Sequence, residues 1–199
     1  MRTLMLISAL SLTTPALACP TSADLDGQGI KVTFDDGSSS IFKRAKPNVI
    51  LEETAFPDSN EGFWLELWDG LYPIGSGGLI DGKRDPGDVM TTKYPSAYDQ
   101  LPAVKPNVNW SNQVEDFDGN NQSLGKADVT VWVGKTTKMA IGECIYDGID
   151  ASTVISHPGN SAISNLIYLT DLGIAVLIGE GSSQGGMNRL KPTSISVAR

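Results

Sequence analysis

Hydrophobic and polar residues alternate along short runs of this chain, and turn-forming residues separate the runs. The run Ile30–Phe34 alternates in this way, with the period of a β-strand that buries one face. Asp36-Gly37 follows it, and a second extended run covers residues 40–45. Because Asp-Gly readily supplies the positive φ of a tight turn, the two runs predict a β-hairpin.

Short strands are also predicted through the rest of the chain, over residues 48–53, 63–68, 129–133, 138–146, 152–155, 165–169 and 173–178. No window of about a dozen residues keeps an uninterrupted helical period, and 21 glycines and 11 prolines break the chain into short pieces. We therefore predict an all-β fold, either an antiparallel sandwich or a partly closed barrel of short strands. Trp132 lies in a β-branched run, and we expect its side chain in the core.

The middle of the chain, residues 75–126, departs from this pattern. It begins with Gly75-Ser76-Gly77-Gly78 and ends in the polar stretch 116–125. We predict a long irregular segment here, formed either as one long loop or as a small lobe. Segments of this kind often carry binding sites, because loops tolerate change better than the core does.

The N-terminus reads as a secretory signal peptide over residues 1–18. Arg2 provides the positive charge, a short apolar run follows, and Ala16-Leu17-Ala18 forms an A-x-A cleavage site. The apolar run is too short to span a bilayer, so no integral membrane span is predicted. The remaining residues, 19–199, are expected to form a single exported β-rich domain, periplasmic or secreted.

The exported part contains two cysteines, Cys19 and Cys144. In an oxidising compartment two cysteines most simply form one disulfide, which is our prediction. Two alternatives remain, a buried Cys144 with a free Cys19, or a Cys19 that carries a lipid anchor. Lipoprotein signals usually place Leu three residues before the modified cysteine, whereas this chain has Ala16 there.

Charge and histidine content exclude several classes of function. The 199 residues carry 15 Lys and Arg against 23 Asp and Glu, a formal charge of −8, with a single His. Nucleic-acid binding needs a surplus of positive charge, so it is not expected. One histidine also excludes every mechanism or metal site that requires two.

The sequence contains no complete catalytic constellation, so we assign no catalytic residue and favour a protein that is not an enzyme. The leading hypothesis is a non-catalytic role in binding an unknown ligand or protein, or in envelope structure. One alternative is an exported hydrolase, for example on glycans, that uses a pair of carboxylates. The other is a lipid-anchored envelope component attached through Cys19.

Trp64, Glu66 and Trp68 occupy alternate positions of one predicted strand and should share a face. Two indoles beside a carboxylate can stack on a sugar ring or hold an apolar ligand, so these residues are ligand-binding candidates. The competing interpretation is that both faces of the strand are covered. The tryptophans would then belong to the core.

Asp116, Asp118 and Asn120 place oxygen ligands at alternate positions, as a calcium loop does. The twelfth position of such a loop should supply a bidentate Glu, but it is Ala127 here. The same residues also form local turns through their own backbone hydrogen bonds. Calcium is therefore a weak candidate, and no other cofactor is predicted.

Several short segments together carry a resemblance. They are Cys19-Pro20-Thr21, the hairpin around residues 32–38, Gly142–Asp147 and Leu169–Gly173. With these segments the chain is similar to small exported proteins of alphaproteobacteria that have no assigned function. The resemblance implies a periplasmic or secreted location, and it implies no activity and no catalytic residue.

Overall fold

The structure, a computed structural model, describes residues 18–199, which form 13 β-strands and two short 3-10 helices. The predicted signal peptide lies outside the described residues except for Ala18. The strands are β1 (Ile30–Phe34), β2 (Ser39–Lys46), β3 (Val49–Ala55), β4 (Glu61–Trp68), β5 (Tyr72–Ile80), β6 (Lys83–Lys93), β7 (Val108–Asp118), β8 (Ser123–Ile141), β9 (Cys144–His157), β10 (Asn160–Leu169), β11 (Ile174–Ser182), β12 (Met187–Arg189) and β13 (Pro192–Val197). The 3-10 helices cover Ser22–Asp26 and Tyr98–Gln100.

All 13 strands belong to one antiparallel sheet, which is strongly curled into a half-barrel. From β1 to β12 each strand pairs with its successor in the chain, and β13 returns to pair with β1. The prediction of an all-β antiparallel fold is confirmed. Of the two predicted architectures, a sandwich and a partly closed barrel, the half-barrel formed by one curled sheet corresponds to the second. Within residues 18–199, no helix has both the length and the apolar character needed to cross a bilayer.

The two ends of the sheet are joined by consecutive residues of the chain. β12 ends at Arg189 and β13 begins at Pro192. Between them, the backbone N–H of Leu190 donates to the carbonyl of Ile178 in β11 over 3.1 Å. The carbonyl of Lys191 accepts a 3.0 Å hydrogen bond from Asp35, just after β1. Two neighbouring residues therefore contact opposite ends of the curled sheet.

The first strands pack against the last strands across the interior. Their buried side chains form one contiguous cluster that includes Ile30, Val32, Phe34, Phe42, Ile50, Ile141, Tyr146, Leu169, Ile174 and Val176. The alternation of Ile30–Phe34 matches this arrangement, because its three apolar residues are buried and the polar residues between them are half-exposed.

The predicted disulfide between Cys19 and Cys144 is confirmed. It joins the segment before β1 to the start of β9, across a sequence separation of 125 residues. A hydrogen bond of 3.1 Å from the Tyr146 hydroxyl to the carbonyl of Pro20 holds the same segment. The beginning of the described chain is thus fixed onto β9.

The middle of the chain contains regular strands, and its irregular part is confined to residues 94–107. β5 to β8 run through most of the segment 75–126, and β8 alone has 19 residues. The irregular part is held by tyrosines. The Tyr72 hydroxyl donates to the carbonyl of Pro102 over 2.8 Å, and the Tyr94 hydroxyl donates to the carbonyl of Pro73 over 2.9 Å.

The expectation that Trp132 is buried is wrong. Its side chain is 45% exposed, while Val129, Val131 and Val133 are buried. Successive residues of a strand point to opposite faces. Burial of the three valines therefore directs Trp132 outward.

Two glycines in turns provide a test of the packing between hairpins. Gly70 (φ 65°) lies in the turn after β4, and a Cβ there would overlap the carbonyl oxygen of Gly173 in the turn after β10. Gly82 (φ 69°) has a similar backbone but open space around it. We expect Gly82→Ala to cost about 1 kcal/mol from backbone strain alone. Gly70→Ala should cost about 3 kcal/mol, because the two turns must also separate.

Urea denaturation of both variants and the wild type checks this expectation. Equal losses of unfolding free energy would show that the turns after β4 and β10 do not pack together as described.

Candidate functional site

The interior of the half-barrel contains a cavity of about 200 Å³, here called the inner cavity. Side chains from strands β3 to β5, from the turn between β4 and β5, and from strands β9 to β11 line it. The apolar members of the lining are Phe63, Leu65, Leu67, Leu71, Pro73, Ile155, Leu166, Ala175 and Leu177. The inner cavity is somewhat larger than the roughly 150 Å³ apolar cavity that is known to admit benzene.

One carboxyl group, that of Glu52, is buried in the wall of the inner cavity. Glu52 lies on β3 and is 7% exposed. Ser40 donates a hydrogen bond of 2.8 Å to Glu52 Oε1. The Thr54 hydroxyl lies 3.4 Å from the same oxygen and 2.7 Å from the Ser40 hydroxyl. No described residue forms a hydrogen bond or ion pair with Oε2.

Burial raises the pKa of Glu52 from 4.5 to about 7, and the hydrogen bonds from Ser40 and Thr54 oppose part of this increase. Removing a charged carboxylate from water disfavours its ionised form, and hydroxyl donors restore only part of the lost hydration. Near neutral pH, Glu52 therefore exists in both protonation states.

Two smaller cavities adjoin the inner cavity and extend it along the interior. One, of about 30 Å³, also borders Glu52 and contains Ser40 and Thr54 in its wall. The other, of about 60 Å³, shares Leu65 and Ile155 with the inner cavity and is bordered by Asp116. The three spaces form a row, with Glu52 toward one end and Asp116 toward the other.

The two buried carboxyl groups differ in their partners. Asp116 Oδ1 accepts a 2.7 Å hydrogen bond from Thr92, and Oδ2 lies 3.9 Å from Nε2 of the half-exposed His157. Asp116 thus has a histidine side chain nearby as well as a hydroxyl partner. Glu52 has hydroxyl partners alone among the described residues.

The surface route to the inner cavity lies beside Glu180. This exposed residue of β11 lines the inner cavity and also an open depression of about 370 Å³ formed with β10 and β12. Asp36, also exposed, borders the small cavity next to Glu52. No Lys, Arg or His lines the inner cavity or either adjoining cavity in the described chain.

The predicted ligand-binding residues Trp64, Glu66 and Trp68 lie apart from the inner cavity, which the alternate residues of β4 line instead. Trp64 is 4% exposed, and the Arg84 guanidinium lies 4.1 Å from the centre of its ring. Arg84 also pairs with Glu66 Oε1 at 3.3 Å. Trp68 is half-buried and packs against Tyr98, with tilted rings whose centres are 5.9 Å apart. Protein groups thus contact all three residues.

The glycines of β5 explain how Trp64 is accommodated. Gly77 pairs with Trp64 across the two strands, and a Cβ at Gly77 would lie 2.8 Å from the indole nitrogen. Gly75 lies under the same ring, with 3.6 Å between its added Cβ and the indole. The Gly-Ser-Gly-Gly run is therefore a strand whose missing side chains leave room for a large aromatic ring.

The calcium candidates Asp116, Asp118 and Asn120 do not share a ligand-binding arrangement. Asp116 points into the interior, as described above. Asp118 Oδ1 accepts hydrogen bonds from the backbone N–H groups of Asn120 and Gln122, at 2.9 and 2.8 Å, within the β7–β8 turn. Among residues 18–199, no three His, Cys, Asp or Glu side chains group closely enough to hold a metal ion.

Glu52 is a site residue that the sequence did not reveal. The run Val49-Ile50-Leu51 is apolar throughout, so it does not indicate which alternate residues face inward. In the structure Glu52 and Thr54 are buried, and Leu51 and Glu53 are half-buried. The usable signal was on β2, where buried Ser40 and Phe42 lie opposite Thr54 and Glu52.

Apolar walls, a buried carboxyl group and a route to the surface make the inner cavity a candidate small-molecule site. Comparison with known proteins adds no relative to this picture. No protein-family model, no curated protein and no solved structure matches the chain.

Proposed function

We propose that this protein is a non-catalytic, exported binding protein that holds a small apolar ligand in the inner cavity. The observation that carries the proposal is the cavity itself, about 200 Å³ of space with largely apolar walls inside the half-barrel. Side chains facing an empty apolar space lack dispersion contacts on one side. A ligand of matching size restores those contacts and removes its own apolar surface from water.

Export to the periplasm or the exterior is part of the proposal. The predicted signal peptide supports it, and so does the disulfide, because disulfides persist mainly in oxidising compartments.

A binding role is preferred over the two alternatives on chemical grounds. Glu52 and Glu53 are adjacent on β3, and Glu115 and Asp116 are adjacent on β7, so each pair is split between opposite faces of the sheet. Neither of these two adjacent pairs can flank one substrate bond in the way that a carboxylate hydrolase requires. A lipid anchor would use the sulfur of Cys19, which is bonded to Cys144.

Octan-1-ol is a suitable first probe, because its chain is apolar and of suitable size. At about ten times its dissociation constant, a ligand that binds only the folded state adds about 1.4 kcal/mol of stability. For a domain of this length, we expect the melting temperature to rise by about 4 °C. Thermal unfolding followed by circular dichroism, with calorimetric titration for the affinity, measures both quantities.

Variants that fill the inner cavity connect the effect to this site. Ala175→Leu and, separately, Ser164→Val reduce the volume of the inner cavity, and each should abolish the shift with octan-1-ol. Ala45→Leu, at an exposed position of β2, makes the matched control and should leave the shift intact. A shift that survives both filling variants would place the ligand elsewhere and reject the proposed site.

A further inference from the structure

The wall of the inner cavity contains a buried carboxyl oxygen that the protein leaves without a partner. Both hydroxyl contacts of Glu52 are made to Oε1. Oε2 has neither a hydrogen bond nor an ion pair among the described residues, although Glu52 is 7% exposed and lines the inner cavity. Buried polar groups are almost always paired, so an open carboxyl oxygen beside an apolar space indicates a place for a ligand's donor.

The charges around the inner cavity are all of one sign. Glu52 and Glu180 line it, Asp36 borders the adjoining space, and no described Lys, Arg or His lines these cavities. The whole chain also carries a formal charge of −8. A field of this sign concentrates cations near the opening and repels anions.

We propose that the ligand is an apolar amine, whose ammonium group donates to Glu52 Oε2 while its hydrocarbon part lies against Leu65, Leu166 and Leu177. This inference rests on the proposed function, since it assigns the chemical class of the ligand in that same cavity. Glu180 at the surface route attracts the ammonium group, and Glu52 pairs with it inside.

An ammonium group fits this wall better than the other polar ends that an apolar molecule can carry. A carboxylate would place a second negative charge against Glu52 with no cation to balance either charge. A hydroxyl can donate one hydrogen bond to the Glu52 carboxylate, but it brings no charge to balance that of the carboxylate. An ammonium group donates a charge-assisted hydrogen bond and also supplies the balancing positive charge.

Binding of the amine is coupled to release of a proton. When Glu52 is protonated, the incoming ammonium ion pairs with the carboxylate, and the carboxyl proton leaves to water. No bond of the ligand is broken. The affinity for the amine should therefore increase as pH rises through the pKa of Glu52, about 7. Asp36 and Glu180 are the other titratable groups that line the cavities around Glu52.

The test compares three probes with the same eight-carbon chain, namely octan-1-amine, octan-1-ol and octanoate, by calorimetric titration at about pH 6 and pH 8. We expect the amine to bind at least about tenfold more tightly than the alcohol at pH 8, and octanoate to bind most weakly. The amine's affinity should rise about tenfold from pH 6 to pH 8, whereas the alcohol's should not rise. The amine stays charged throughout, as a lysine side chain does.

Three variants assign the effect to single groups. Glu52→Gln keeps the shape of the side chain and should remove both the amine preference and its pH dependence, while octan-1-ol still binds. Glu180→Gln should lower the affinity for the amine without removing the pH dependence of that affinity. Glu143→Gln, at an exposed position in the β8–β9 turn, is the matched control and should change neither property.

The outcomes separate the two proposals. If neither the alcohol nor the amine binds, the inner cavity is not a ligand site and both proposals fail. If the alcohol binds and the amine is no better, or if octanoate is preferred, the assignment of an amine fails and the binding function stands. An amine preference that persists in Glu52→Gln also overturns the assignment, and the wild-type comparison decides even if that variant does not fold.

Discussion

The free energy of unfolding is expected to fall by about 3 kcal/mol as pH rises from about 4.5 to about 8, owing to Glu52 alone. Burial raises the pKa of this carboxyl group from 4.5 to about 7 in the folded protein. A raised pKa means that the folded state holds the proton more tightly than the unfolded state. The resulting stabilisation is fully present below about pH 4.5 and is lost as pH passes through 7.

Glu52→Gln removes this dependence, because an amide has no proton to lose in this range. The variant should match the wild type near pH 4.5 and exceed it by up to about 3 kcal/mol near pH 8, or roughly 6–12 °C in melting temperature. Urea denaturation at about four pH values measures both proteins. Burial also raises the pKa of Asp69, which contributes in the same direction. The difference between wild type and variant isolates Glu52.

Glu143→Gln again provides an exposed control, and its stability profile should follow the wild type. Parallel profiles for wild type and Glu52→Gln would contradict the shifted pKa and the closed surroundings that cause it.

Loss of the disulfide is expected to have the largest effect on stability. Cys19 and Cys144 are 125 residues apart, and closing a loop of that length in the unfolded chain corresponds to about 5 kcal/mol in the chain-entropy model. The reduced protein should melt roughly 10–20 °C lower than the oxidised protein. Calorimetry with and without reductant measures the change.

The double variant Cys19→Ser/Cys144→Ser should melt at the same temperature as the reduced wild type and should not respond to reductant. A reduced wild type that melts with the oxidised protein would show that the two cysteines are not bridged in solution.

The elements that could be predicted from the sequence are those whose signal is local. Ile30–Phe34 alternates cleanly, and the turn that follows contains Asp36-Gly37, so strand, turn and pairing agree with β1 and β2. The disulfide followed from counting cysteines. A few adjacent residues determine the hairpin, and the presence of only two cysteines in residues 19–199 determines the disulfide.

The inner cavity could not be predicted, because it depends on residues from six strands that are brought together by the curl of the sheet. Glu52 also lay in a run whose apolar residues give no alternation, so its inward direction was undetermined. The burial of Trp64 and the exposure of Trp132 could not be predicted either. Trp64 is buried because the Arg84 guanidinium covers its ring and because Gly77 has no side chain in the space that the ring occupies. Trp132 points outward because its valine neighbours point inward.

The junction of the two sheet ends has a consequence for the order of folding. Pairing from β1 to β12 joins successive strands, so it can spread from hairpin to hairpin with little loop entropy to overcome. Pairing of β13 with β1 instead connects residues that are distant in the chain, and at its end Lys191 and Asp35, which are hydrogen-bonded, are 156 positions apart. Such distant contacts form slowly. Until they form, the backbone of β1 remains an open edge that can pair with another chain. Folding of the last residues is therefore the step that covers the edge of β1 and leaves the short strand β13 as the edge strand on that side.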